Sequence, residues 1–301
     1  MVDLQVRKLM IPQLLLVGAA AIGNPAIPQE QSVVQLTSTG ARNRTGAWAP
    51  DGTSIVFGSN RNGTWQLWLM QPDGSDALQL TAQPQAVGGP TWSADGTEVW
   101  FEAGFRIVRL VLSSLETFPL DVEHAKAFRP VPSADGVRLL FDVSAGDNHD
   151  IWVRDLRERR GRRLTADPGY ESDARWSPDG TRIVFHSDRG EARFHTQVFS
   201  MLPDGSDVRQ LTSGPSKNGY PTWSPNGQCI VYTSEIDGNR DLWLMDRSGS
   251  NKRRLTFHRG FDGDPSWKPT GGSILFSTSR WGGEELAVLA LSAADVQTCE
   301  A

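Results

Sequence analysis

Three stretches of this chain say nearly the same thing: "AWAPDGTSIVFGS" at 47–59, "RWSPDGTRIVFHS" at 175–187 and "TWSPNGQCIVYTS" at 222–234. Weaker copies begin at Trp92 and Trp267, and Pro132 of "VPSADG" fills the gap in the middle, so the mark recurs every 40 to 47 residues. A second mark, "QLT" or "RLT", follows about thirty residues later and ends at Thr81, Thr165, Thr212 and Thr256. A copied unit cannot bury its apolar face alone and must pack against the next copy, so this repeat constrains the fold more than any other feature.

The unit reads as strands and turns. In S-P-D-G, Pro fixes the first turn corner, Asp or Asn tolerates the second, and Gly takes the left-handed position. Runs such as Ile55–Gly58, Ile183–His186 and Ile230–Thr233 are short, β-branched and aromatic, and "QLWLM" and "DLWLM" are punctuated too closely for helices. Four strands in roughly 45 residues match one propeller blade. The expectation is an all-β, six-bladed β-propeller of four-stranded antiparallel blades over residues 32–291.

Ring closure assigns the two ends. "SVVQLT", Ser32 to Thr37, carries the ending of a fourth strand ahead of the first Trp, whereas the last unit has none after Glu285–Leu291. The N-terminal strand is therefore expected to complete blade 6 and remove an open sheet edge. "DVQTCEA" in the tail, 292–301, is the competing candidate, although it lacks the mark.

The pattern WSPDG, IVF, DLWLM, DGS, RLT resembles the TolB-type, WD-like propeller repeat, found also in the propellers of prolyl oligopeptidase relatives. The resemblance covers about residues 32–291 and implies the propeller fold. It implies little about activity, since such rings serve as scaffolds, gates and lyases.

Ahead of the ring, Arg7 and Lys8 precede the apolar stretch Leu9–Gly23, and small residues follow it. That is the order of a cleavable signal peptide over 1–26, with a periplasmic or secreted location, and it is too short for a span, so no stable membrane insertion is expected. A net charge of −5 with scattered basic residues argues against a nucleic-acid partner. "LRERRGRR", Leu156 to Arg163, reads as a solvated turn rather than a polyanion site. Cys229 reads as a small buried hydrophobe; a bridge to Cys299 would require the tail to reach blade 5.

No G-x-S-x-G elbow is present in the sequence, so the peptidase reading fails. "DGNRD", 237–241, starts like a calcium loop but lacks Gly at the sixth position and has Ser248 at the twelfth. Alignment back from each Trp places Asn43 and Thr45, Val87 and Gly89, Ala127 and Arg129, Glu171 and Asp173, Asn218 and Tyr220, and Asp262 and Asp264 at the channel mouth. Four carboxylates, Glu171, Asp173, Asp262 and Asp264, are expected to meet there and to hold a divalent cation such as calcium, pair with Arg44 and Arg129, or bind a basic group. Otherwise no cofactor is expected. Arg61 and Trp65 on the blade 1 loop, with Arg280 and Trp281 on the blade 6 loop, are expected to extend the face outward. Related propeller lyases imply a second candidate set, His124, His186, His195 and His258, although no ligand spacing joins them. The expected function is a non-catalytic, monomeric binding or scaffold propeller for a protein or small ligand. The alternative is a metal-dependent lyase or hydrolase at the channel mouth.

Overall fold

The computed structural model describes residues 32–122, 126–236 and 238–299. Among these residues six four-stranded antiparallel sheets follow one another around a ring, and the chain is a six-bladed β-propeller. Blades 1 to 5 take residues 43–79, 87–119, 127–163, 171–210 and 217–254 in simple up-and-down order. Blade 6 takes its three inner strands from 262–290 and its outer strand, Val33–Gln35, from the start of the ring. The expected N-terminal closure is thus observed.

The repeat marks have separate mechanical roles. Phe57, Phe101, Phe141, Phe185, Tyr232 and Phe276 hold one equivalent position in the six second strands, and none is more than 2% exposed. Each such side chain contributes about 2–3 kcal/mol by leaving water. They pack between blades: Phe185 and Trp176 of blade 4 share a core with Leu140 and Ile151 of blade 3. The Trp mark ties three blades to their predecessors, because the indole N–H of Trp92, Trp176 and Trp267 donates to the carbonyls of Ala47, Val131 and Thr222, whereas the buried indole N–H groups of Trp48 and Trp223 have no hydrogen-bond partner among the described residues.

The Thr of each L-T mark pins an outer strand. Thr81, Thr165, Thr212 and Thr256 accept the backbone N–H of Leu67, Ile151, Val198 and Leu242 in the neighbouring third strand. Thr37 does the same for Leu286, at 2.9 Å, from the opposite end of the chain. The outer strands have only two to four residues, so one buried hydroxyl is a large share of their attachment.

The tail does not supply a strand. Ser292 and Asp295 form a reciprocal capping box that starts the helix Ala293–Thr298. Behind it Cys299 is bonded to Cys229 of blade 5, with Cα atoms 5.2 Å apart. The tail therefore does reach blade 5, and Cys229 is a bridged residue rather than only a small hydrophobe. Asn226 donates to the Cys299 carbonyl, and Arg253 pairs with Asp295 at 2.8 Å. Of "LRERRGRR", residues 156–159 form the expected turn, whereas Arg160–Arg163 form the outer strand of blade 3: Arg162 donates to the carbonyls of Pro203 and Asp204, and Arg163 pairs with Asp150. The 1–26 segment lies outside the described residues, as do His124 and Asp237.

Candidate functional site: the central channel

Every inner strand carries a register shift at the same place, between Arg44 and Ala47, Gly88 and Thr91, Phe128 and Val131, Ser172 and Arg175, Gly219 and Thr222, and Gly263 and Ser266. Within each shift one residue adopts positive φ: Thr45 at 51°, Gly89 at 57°, Arg129 at 52°, Asp173 at 55°, Tyr220 at 50° and Asp264 at 49°. A bulge of this kind bends the strand and re-aims a side chain. Five of the six positions carry a side chain, at about 1–2 kcal/mol each. All six residues line one central cavity of about 520 Å³.

The bulge also separates residues that the sequence placed together. Glu171 and Asp262 do not line the channel. Asp262 is fully buried, receives Arg280 at 2.7 Å and accepts the Thr278 hydroxyl. Glu171 receives Arg189 at 3.0 Å and accepts from Ser187, and burial pushes its carboxyl up. Asn43 takes the same place in blade 1 and accepts from Arg61. The repeated element is Ser or Thr followed two residues later by Arg: Ser59 and Arg61, Ser187 and Arg189, Thr278 and Arg280. These arginines lie over core rings, Arg61 over Phe57 and Trp68, and Arg280 over Phe276. Arg61 and Arg280 are therefore turned into the blades rather than outward; the Arg280 side chain is 6% exposed. Trp281 is exposed, whereas Trp65 is half-buried beneath Arg44 at 4.1 Å.

Asp173 and Asp264 do face the channel. Arg129 binds Asp173 through Nε at 2.9 Å and approaches Asp142 at 3.5 Å, while donating to Ser172 Oγ. Burial opposes ionisation of Asp173, but Arg129 and His186 outweigh it and hold the carboxyl below its usual range. Burial raises Asp142 to about 6 despite Arg129. Asp264 is raised by burial and by Asp173, and Tyr220 is pushed up to about 12, chiefly by burial. His186 Nδ1 accepts the Tyr220 N–H, which leaves Nε2–H toward Asp173 Oδ2 at 3.8 Å; burial lowers this imidazole to about 4. The ring is thus neutral above that pH.

The remaining histidines do not converge. His195 is on an exposed loop against the Pro215 carbonyl, and His258 accepts the Gly260 N–H. His149, which the sequence did not single out, lies in a ladder of rings that runs Phe105, Phe128, His149, Tyr170, His186 and Tyr220 across blades 2 to 5. Among the described residues no three His, Cys, Asp or Glu side chains group as metal ligands. Asp241, whose stretch already failed the calcium-loop pattern, pairs with Arg254. A groove of equal size on the opposite face, between blades 2 and 3, is bounded by Trp100, Phe118 and Leu156; its Glu98 is paired with Arg109.

A ring of six four-stranded sheets around a polar channel defines a propeller built from one repeat. The sequence model of the TolB beta propeller domain matches residues 111–235 and 209–300, and the chain belongs to that family. The Tol-Pal system protein TolB of Anaeromyxobacter dehalogenans is 34% identical over 127 residues, 41% of this chain and 29% of that protein. The chain thus matches under a third of the length of that curated relative. Among solved structures, a putative TolB from Agrobacterium tumefaciens superposes with a TM-score of 0.67 at 22% identity, covering 87% of this chain and 97% of that one. An oligogalacturonate lyase in complex with manganese gives 0.61 at 17% identity, covering 88% and 94%. These likenesses show the fold.

Proposed function

We propose that this chain is an extracytoplasmic binding propeller that recognises a protein or small ligand on its channel-mouth face. One observation carries the reading. The six bulges share one backbone geometry yet present Thr, Gly, Arg, Asp, Tyr and Asp, whereas most turns on the opposite face repeat one bond, a backbone N–H donating to an Asp or Asn two residues earlier, as Thr53 does to Asp51, Thr181 to Asp179, Ser206 to Asp204 and Gln228 to Asn226. A rigid scaffold with variation confined to one mouth is how binding residues are usually carried. The leader-like order of 7–26 and the Cys229–Cys299 bridge both suit an oxidising compartment. No helix of the described residues is long and apolar enough to cross a membrane.

A catalytic reading has its own support in the Asp142, Asp173, Arg129 and His186 cluster, since shifted groups in a cleft are candidates for acid–base work. The experiment is a capture assay from the native extracytoplasmic fraction with two variants. One is Tyr220→Ala with Trp281→Ala on the mouth; the other is Asp73→Ala with Asp204→Ala on the opposite turns. Capture lost in the first and kept in the second supports the binding reading. Equal capture by both variants overturns it. A turnover abolished by His186→Asn favours catalysis instead.

A further inference from the structure

The acids of the channel wall have partners. Asp173 has Arg129, Glu284 has Arg42 at 2.7 Å, Glu102 accepts the Arg129 N–H, and Asp264 accepts the Ser277 hydroxyl. Three arginines of the same wall, Arg44, Arg175 and Arg240, pair with no carboxylate among the described residues. They come from blades 1, 4 and 5. Arg44 rests on Trp65, and Arg240 lies between Tyr220 at 5.5 Å and Phe261 at 5.6 Å. Arg175 uses one N–H on the Ala174 carbonyl. A guanidinium carries five donors in a planar fork and no acceptor, so these groups present donor capacity that the wall does not use.

Formal charges around the cavity nearly balance, so donor geometry rather than net charge selects the ligand. A cation would find Asp173, Asp264 and Glu284 already engaged by Arg129, Ser277 and Arg42, and Asp173 Oδ2, which has no hydrogen-bond partner among the described residues, is buried 3.8 Å from His186 Nε2. An anion would find three forks held flat by aromatic rings or a backbone carbonyl. A single dense anion would meet one fork at a time and the Asp264 carboxyl as well. Several carboxylates spaced along a flexible ligand can each take a fork, and a 520 Å³ cavity is of small-ligand size.

Resting on the channel mouth as the binding face, we infer that the central channel binds a polycarboxylate, from a small organic polyacid or an acidic peptide segment, through Arg44, Arg175 and Arg240. Of the three sequence expectations for that place, pairing with Arg129 is met by Asp173, and a polycarboxylate stands in place of the cation or basic group.

The test is titration calorimetry on the purified chain with tricarballylate, tetraglutamate, tetraglutamine, tetralysine, inorganic phosphate and calcium. One of the two acids is expected to bind with an affinity that weakens as salt rises, and which one binds identifies the source. Arg44→Met, Arg175→Met and Arg240→Met keep the apolar stems and should each weaken that binding at least about fivefold. Arg240→Lys keeps the charge, loses the fork and should weaken it too, which covers the case of a Met variant that fails to fold. The inference is overturned if neither acid binds below about 10 mM, if phosphate, calcium or tetralysine binds more tightly than both, or if folded variants bind like the parent. Failure here with capture still dependent on the mouth removes only the ligand class. Failure of both removes the binding face itself.

Discussion

Thr37 Oγ1 lies 2.5 Å from Glu285 Oε2, joining residues 248 positions apart, and the same carboxylate accepts from Asn43 of blade 1. One buried acid thus gathers the closing strand, the third strand of blade 6 and the first strand of the next blade. Removing 32–37 leaves blade 6 with three strands and a bare edge. A loss of several kcal/mol is expected, with aggregation. An unchanged melting temperature would refute closure by this strand.

The tail bridge should matter through the unfolded chain. It closes a loop of 70 residues, and a constraint of that length is worth about 4 kcal/mol in the chain-entropy description. Cys229→Ser with Cys299→Ser should lower the urea midpoint accordingly, while six-bladed circular dichroism is retained. Reductant should shift the parent protein alone.

Asp262 and Asp264 are two residues apart and should respond in opposite ways. Asp262→Ala leaves Arg280 buried without its counter-charge, which typically costs about 3–5 kcal/mol. Asp264→Asn removes a carboxyl that burial and Asp173 already disfavour, so stability should hold or rise toward neutral pH. Equal losses in denaturant titrations of the two variants would show that both acids are structural.

The pH dependence of stability should expose His186. Its imidazole takes a proton near 4 in the folded chain and near 6.5 when unfolded, so between those values the unfolded state binds more protons and stability falls as pH falls. Asp142 acts in the opposite sense. With its carboxyl raised from 3.8 to about 6, its contribution is full at low pH and is lost as pH rises through 6. His186→Asn keeps an acceptor for the Tyr220 N–H and deletes only the first effect. Relative to the parent, the variant should gain stability as pH drops from 6.5 to 4. A difference that stays constant across that window would contradict the buried neutral ring.

The ring, its blade count and its closure were legible because each depends on local chemistry: Pro and Gly at turns, an aromatic in each second strand, and a Thr whose hydroxyl pins the outer strand. The channel was only half legible. Glu171 and Asp173 share a face under ordinary strand alternation, and so do Asp262 and Asp264. The bulge breaks that alternation, sending the first of each pair into the blade and the second into the channel. The Ser or Thr, then Arg, spacing at Ser59, Ser187 and Thr278 was a readable sign that Arg61, Arg189 and Arg280 have internal partners. Arg175 and Arg240 carried no such sign, since one follows a bulge and the other opens a third strand.

Ser32 contacts Ala290 at the end of the third strand of blade 6, and Cys299 is held by Asn226 within a P-N-G turn. Both contacts belong to the face away from the arginine-lined mouth. Anchoring the ring through either end would therefore orient it, with the channel opening directed outward from whatever surface bears the attachment.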